Sequence, residues 1–110
     1  MEEVIIKNEG SGGQSKMDYV AVKNAAMTLR ALDHKLRQQI LKLLNENKSM
    51  KVTDIYVKLR LEQSVASQHL DKLRRAKIVS TERIGREIFY SLNSARIEQV
   101  AAFVNKLTSE

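Results

Sequence analysis

After Ala76 the apolar residues stop recurring at helical spacing and begin to alternate, and after Leu92 the helical spacing returns. Ile78–Arg83 and Glu87–Leu92 are rich in β-branched and aromatic residues and are separated by Ile84-Gly85-Arg86, which predicts a β-hairpin with Gly85 in the turn. This one switch of period confines the chain to a mainly α fold carrying a single small β-hairpin.

Upstream, Val22, Ala25, Ala26, Leu29 and Leu32 fall on one helical stripe from Met17 onward, while Val20, Ala21 and Met27 add apolar surface beyond it. That first helix has two faces to hide. Leu36, Ile40, Leu43 and Leu44 mark a second helix, which fades at the polar run Asn45–Ser49, and Val52, Ile55, Tyr56 and Leu59 mark a short third. A fourth runs from about Gln63 to Arg75 with Ala66, Leu70 and Leu73 as its core stripe. Only a tight turn around Arg60-Leu61-Glu62 separates it from the third, the connection of a helix-turn-helix. A fifth helix, capped by Asn93 or Ser94, carries Ile97, Val100, Ala101, Val104 and Leu107.

At 110 residues the chain holds one domain's worth of material. The stretch EGSGGQSK at Glu9–Lys16 contains three of the four glycines, so residues 1–16 are expected to form a mobile tail and residues 17–110 the domain. Two alternatives stand beside this: Met17 as the natural start, or the Val4-Ile5-Ile6 run docking somewhere on the domain. A net charge of +6 favours a polyanionic partner, nucleic acid or an acidic membrane. The absence of cysteine excludes disulfides, thiolate zinc sites and thiol redox sensing, and leaves a reducing cytoplasm as the expected location. No run approaches the ~20 apolar residues of a membrane span, and a chain without Trp is poorly suited to lie on a bilayer. No nucleophile–base arrangement, glycine-rich phosphate loop or paired carboxylates point to an enzyme.

With Ala66, Leu70 and Leu73 inward, the fourth helix turns Ser64, Val65, Gln68, Asp71, Lys72 and Arg75 outward. A helix in the major groove needs short or amide side chains near its N-terminus, where base edges lie, and cations further on, where phosphates pass. Ser64, Gln68, Lys72 and Arg75 follow that gradient, Val65 can touch a thymine methyl, and Gln63 opens the same helix. Arg83 and Arg86 around the hairpin turn supply further phosphate contacts.

Leu32–Leu92 resembles the ArsR/SmtB family of bacterial winged-helix repressors. The second helix, LDHKLRQQILKLL, is similar to the family's region after its first helix, EQSVASQHLDKLRRAKIV at Glu62–Val79 to its recognition helix, and RIGREIFYSL at Arg83–Leu92 to its wing. The resemblance implies a winged helix-turn-helix of about five helices and a two-stranded wing. It also implies a homodimer held by the first and last helices, and regulation of transcription, as a repressor, on an inverted-repeat DNA operator. Ser64, Ser67, Gln68 and His69 then fall at DNA-contacting positions, and Val20, Met27, Val100, Phe103, Val104 and Leu107 are the expected dimer contacts. Two positions depart from the pattern: Glu62 replaces the usual Ser or Thr cap, and Lys77 replaces a glycine, which predicts a less sharply left-handed turn.

Many relatives sense metals. Here the family's thiolate pair would align near Lys51 and Thr53, and the last helix offers Asn93, Ser94, Arg96, Asn105 and Lys106, so no metal or other cofactor is expected. The only histidines are His34, for which a capping or surface role is expected, and His69, for which a phosphate contact or a packed hydrogen bond is expected. An inducer of another kind is left open. The competing class is a winged-helix protein-interaction module, which would carry an apolar patch in place of Ser64, Gln68, Lys72, Arg83 and Arg86.

Overall fold

The computed structural model describes residues 3–7 and 14–109, and places side chains from Met17 to Ser109. Strands β1 (Glu3–Lys7) and β2 (Gln14–Asp18) pair antiparallel, Glu3 opposite Asp18 and Lys7 opposite Gln14. The expected tail therefore contains a two-stranded ribbon, built on the β-branched run Val4-Ile5-Ile6. Residues 8–13, with most of the glycine-rich stretch, lie outside the described residues.

Helix α1 (Tyr19–Leu32) begins later than expected because Met17 belongs to β2. Asp18 caps it, its carboxylate accepting from the Val20 amide at 2.9 Å. Helix α2 (Lys35–Asn47) is capped by His34, whose Nδ1 accepts from the Leu36 amide at 3.1 Å. There follow β3 (Ser49–Lys51), α3 (Val52–Lys58), α4 (Gln63–Arg75), β4 (Val79–Ile84), β5 (Glu87–Leu92) and α5 (Ser94–Thr108), the last capped by Asn93.

The core sits where α2, α3 and α4 meet the start of β4. Ile40, Leu44, Ile55, Leu70, Leu73 and Ile78 are fully buried there, with Leu43 and Val79 beside them. Fully burying a side chain of this size is worth roughly 1.5–3 kcal/mol. The helix-turn-helix and the base of the hairpin are thus one packed body.

Two turns fix the geometry. At the end of α3, Leu61 N–H donates to Tyr56 O at 2.9 Å and Arg60 N–H to Val57 O at 3.2 Å, with Arg60 at φ 56°. At the end of α4, Ile78 N–H donates to Leu73 O at 3.0 Å and Lys77 N–H to Arg74 O at 2.9 Å, with Lys77 at φ 63°. Both are Schellman caps, and the second is closed by the apolar contact of two fully buried residues, Leu73 and Ile78. The expectation of a less left-handed turn at Lys77 is overturned. The paired cap bonds and the Leu73–Ile78 burial impose the glycine-like conformation on a lysine.

The sheet has the order β3-β5-β4. Strand β3 is an addition to the expected two-stranded wing; it pairs Ser49 with Ser91, Met50 with Tyr90 and Lys51 with Phe89. In the β4–β5 hairpin Ile84 faces Glu87, leaving Gly85 and Arg86 as the turn. Gly85 has φ 64° and Arg86 does not share the positive sign, the pattern of a type II′ turn whose twist matches its strands.

Candidate nucleic-acid interface

Ala66, Leu70 and Leu73 are buried as the spacing requires, which fixes the rotation of α4 about its axis. Gln63, Ser64, Ser67, Gln68, Lys72 and Arg75 are exposed, and Val65, His69 and Asp71 are half-buried. The exposed face passes from hydroxyl and amide groups in the first turns to cations in the last. Glu62 at the N-cap makes no side-chain hydrogen bond to the first turn.

Asp71 accepts from Arg74 at 2.8 Å and pairs with Arg75 at 2.9 Å. The Arg74 hydrogen bond, with the charges of both arginines, holds its carboxyl below the usual carboxylate range. Arg75 is therefore tied along its own helix. Lys72 has no carboxylate partner among the described residues and is the freer cation.

His69, a DNA-contacting position by the resemblance, is half-buried and turned towards α2. Its Nδ1 accepts from Arg37 Nε at 3.3 Å, and its ring lies 4.5 Å from that of His34, tilted by 53°. A neutral ring that accepts at Nδ1 carries its proton on Nε2, the atom that remains for any further contact. Of the two roles expected for His69, the packed hydrogen bond is the one this geometry displays.

In the hairpin, Arg83 and Arg86 are both exposed, and Arg83 Nε donates back to Gly85 O at 3.3 Å, steadying the turn. Lys51 and Glu87 pair at 3.0 Å across the β3–β5 edge. The Glu87 hydrogen bond and charge raise the Lys51 ammonium above its ordinary value, so this amine stays protonated and cannot serve as a metal ligand. Asn93 is likewise committed: its Oδ1 accepts from the Arg96 amide at 3.3 Å and its Nδ2 donates to Lys77 O at 3.0 Å. These two positions do not suit a metal ion.

Of the expected dimer contacts, Val20, Met27, Phe103 and Leu107 are 50%, 53%, 46% and 67% exposed, while Val100 and Val104 are half-buried. Tyr19 and Val22 extend the same apolar exposure on α1, and no residue of α5 is buried. Arg30, Arg37 and Arg96 lie outside the helix-turn-helix and the wing in sequence. Only folding brings them next to α4.

A helix-turn-helix whose second helix presents a polar face, followed by a hairpin with arginines at its tip, defines a winged-helix regulator that binds DNA. The profile of the bacterial regulatory protein arsR family matches residues 34–81. The chain is 35% identical over 92 residues to the transcriptional repressor PagR of Bacillus anthracis, covering 84% of this chain and 92% of PagR. To the transcriptional activator HlyU of Vibrio cholerae it is 34% identical, covering 76% of each chain. The crystal structure of PagR superposes with a TM-score of 0.64, covering 80% of this chain and all of that one. The chain belongs to the ArsR family of bacterial regulatory proteins. It is a DNA-binding transcriptional regulator and not an enzyme.

Proposed function

We propose that residues 17–110 act as a homodimer in the cytoplasm, closed by α1 and α5, that reads an inverted-repeat operator and represses transcription by occupying it. The observation that carries this is the exposed row Gln63, Ser64, Ser67 and Gln68 over a buried stripe, with Lys72 beyond it. Amide and hydroxyl groups at the start of the helix read base edges, and the cations take phosphates. Arg83 and Arg86 on the wing add sequence-independent grip.

A two-fold protein presents two copies of α4 and so favours half-sites about one or more helical turns apart. Exposed Val20, Met27, Phe103 and Leu107 support the two-fold assembly, since large apolar side chains on two adjacent helices gain by leaving water together. The named relatives include a repressor and an activator. Repression is the simpler assignment, because occupancy of a promoter needs no further contact with polymerase. The positions of Lys51 and Asn93 favour regulation without a metal. The polarity of the α4 face favours a duplex over a protein partner.

The test is selection of bound sequences from a random duplex pool at physiological salt, with sedimentation of the free protein in parallel. The expected result is an enriched inverted repeat and a dimer; a monomer, or a pool with no enriched sequence, overturns the proposal.

A further inference from the structure

A cleft of about 710 Å³ opens between the last turns of α1, the start of α2, the end of α4 and the start of α5. Its lining includes Arg30, Arg37, Lys72, Arg75, Lys77 and Arg96, six cations, with Met27 of the proposed dimer seam at its α1 edge and, among the described residues, neither aspartate nor glutamate. Helices α1 and α4 both end here, but a helix C-terminus supplies only about half a negative charge. Of the lining cations only Arg75 has a carboxylate partner among the described residues, Asp71, which lies outside the lining and is shared with Arg74. The recess keeps a strong positive excess.

Several of these cations are held in place. Arg96 Nε donates to Ala76 O at 3.3 Å, and its Nη2 to Thr28 Oγ1 at 3.1 Å. Arg37 is 92% buried by its 8% exposure, with Nε on His69 and Nη1 on the carbonyls of Arg30 and Ala31 at 3.3 and 3.2 Å. Lys77 enters through a backbone conformation that the Schellman cap imposes. Arg37 and Arg96 are thus ordered before any anion arrives, and each keeps a guanidinium nitrogen outside these bonds, Nη2 of Arg37 and Nη1 of Arg96.

The volume lies within the roughly 300–1,000 Å³ of small-molecule sites. Arg37 and Thr28, both buried, form part of its lining, so the cleft reaches below the exposed row of α4. We propose that the cleft binds a small polyanion carrying two or more phosphate or carboxylate groups, an effector that draws Lys72 and Arg75 away from DNA. Binding of the anion stands by itself; the effect on DNA rests on the function proposed above.

The experiment is calorimetric titration of the full chain with sodium tripolyphosphate and, separately, with citrate, at constant ionic strength in chloride. Saturable binding of one anion per protomer is expected for at least one probe, and which of the two binds separates phosphate from carboxylate chemistry. The double variant R30Q/K77Q should weaken that binding by about tenfold or more. K42Q/K58Q, which removes as many charges outside the cleft, should leave it within about twofold. Duplex affinity of R30Q/K77Q in the absence of anion should match the wild type, and the bound probe should lower duplex affinity of the wild type.

Failure of both probes to saturate overturns the proposal, as does equal weakening by the two double variants, which would make the binding a matter of net charge. Loss of duplex affinity in R30Q/K77Q with no anion bound would assign the cleft to DNA phosphates instead, and also overturns it. Because the anion titration contains no DNA, a chain that reads no operator still passes or fails it on its own.

Discussion

Arg37 Nε donates to His69 Nδ1 across 3.3 Å, joining the first turn of α2 to the middle of α4. The same guanidinium, through Nη1, holds the carbonyls of Arg30 and Ala31 at the end of α1. Three helices meet at one buried cation, and the orientation of α4 depends on an acceptor nitrogen that a proton can occupy. Partial burial, followed by the charges of His34, Arg37 and Lys72, keeps the His69 pKa below its ordinary 6.5.

The sign of the pH effect follows. With the folded pKa lowered, the unfolded chain takes up a proton first as pH falls, so the contribution of His69 to stability is complete above 6.5 and is lost between 6.5 and the lower folded value. Urea midpoints should therefore drop from about pH 7.5 to about pH 5.5, and drop less in His69→Gln, whose amide oxygen still accepts from Arg37. An equal drop in both proteins would remove His69 as the cause.

Met27 and Leu107 are more than half exposed in the single chain, so charging them leaves the core alone. The double variant Met27→Glu/Leu107→Glu should sediment as a monomer at micromolar concentration, retain its helical circular dichroism and lose preference for an inverted repeat. A dimer that survived both carboxylates would place the seam elsewhere.

Gln68→Ala should weaken the selected site by about 1–3 kcal/mol and relax one base position, as expected of a base-edge contact. Arg86→Ala should weaken all duplexes alike and reduce the slope of log K against log salt by about 1. A salt series on the selected and a scrambled duplex separates the two; full affinity in both variants would remove these roles.

Lys77→Gly should stabilise the fold by about 0.5–1 kcal/mol, since the lysine occupies a left-handed conformation that glycine adopts without a Cβ clash. Thermal melting checks it. A lower melting temperature would show that the lysine side chain contributes more than its backbone costs.

Elements whose partners lie close in sequence were legible: the α3–turn–α4 unit and the β4–β5 hairpin follow from the spacing of Ile55, Ala66, Leu70 and Leu73 and from Gly85. Strand β3 was not, because Ser-Met-Lys has no alternation to detect and becomes a strand only beside Ser91, Tyr90 and Phe89 of β5. The first ribbon is masked in the sequence because three glycines follow closely on Val4-Ile5-Ile6. For the interface, the outward row of α4 was readable from the wheel. The bond from Arg37 to His69 was not, since it spans two helices, and the cationic cleft was invisible because its charges come from four helices and the turn after α4, which no sequence window holds together.

Asn93 is the single residue between β5 and α5, and its amide donates to Ile78 O at 2.9 Å while its side chain holds Lys77 O. The last helix is thus clamped, without a slack loop, to the residues that terminate α4. On the two-fold arrangement proposed here, any rotation of one α5 against its mate turns the groove-facing helix with it, as a key turns with its bow. When half-sites are displaced from the preferred spacing, strain at this joint falls on the DNA, which has to twist or bend to meet the protein.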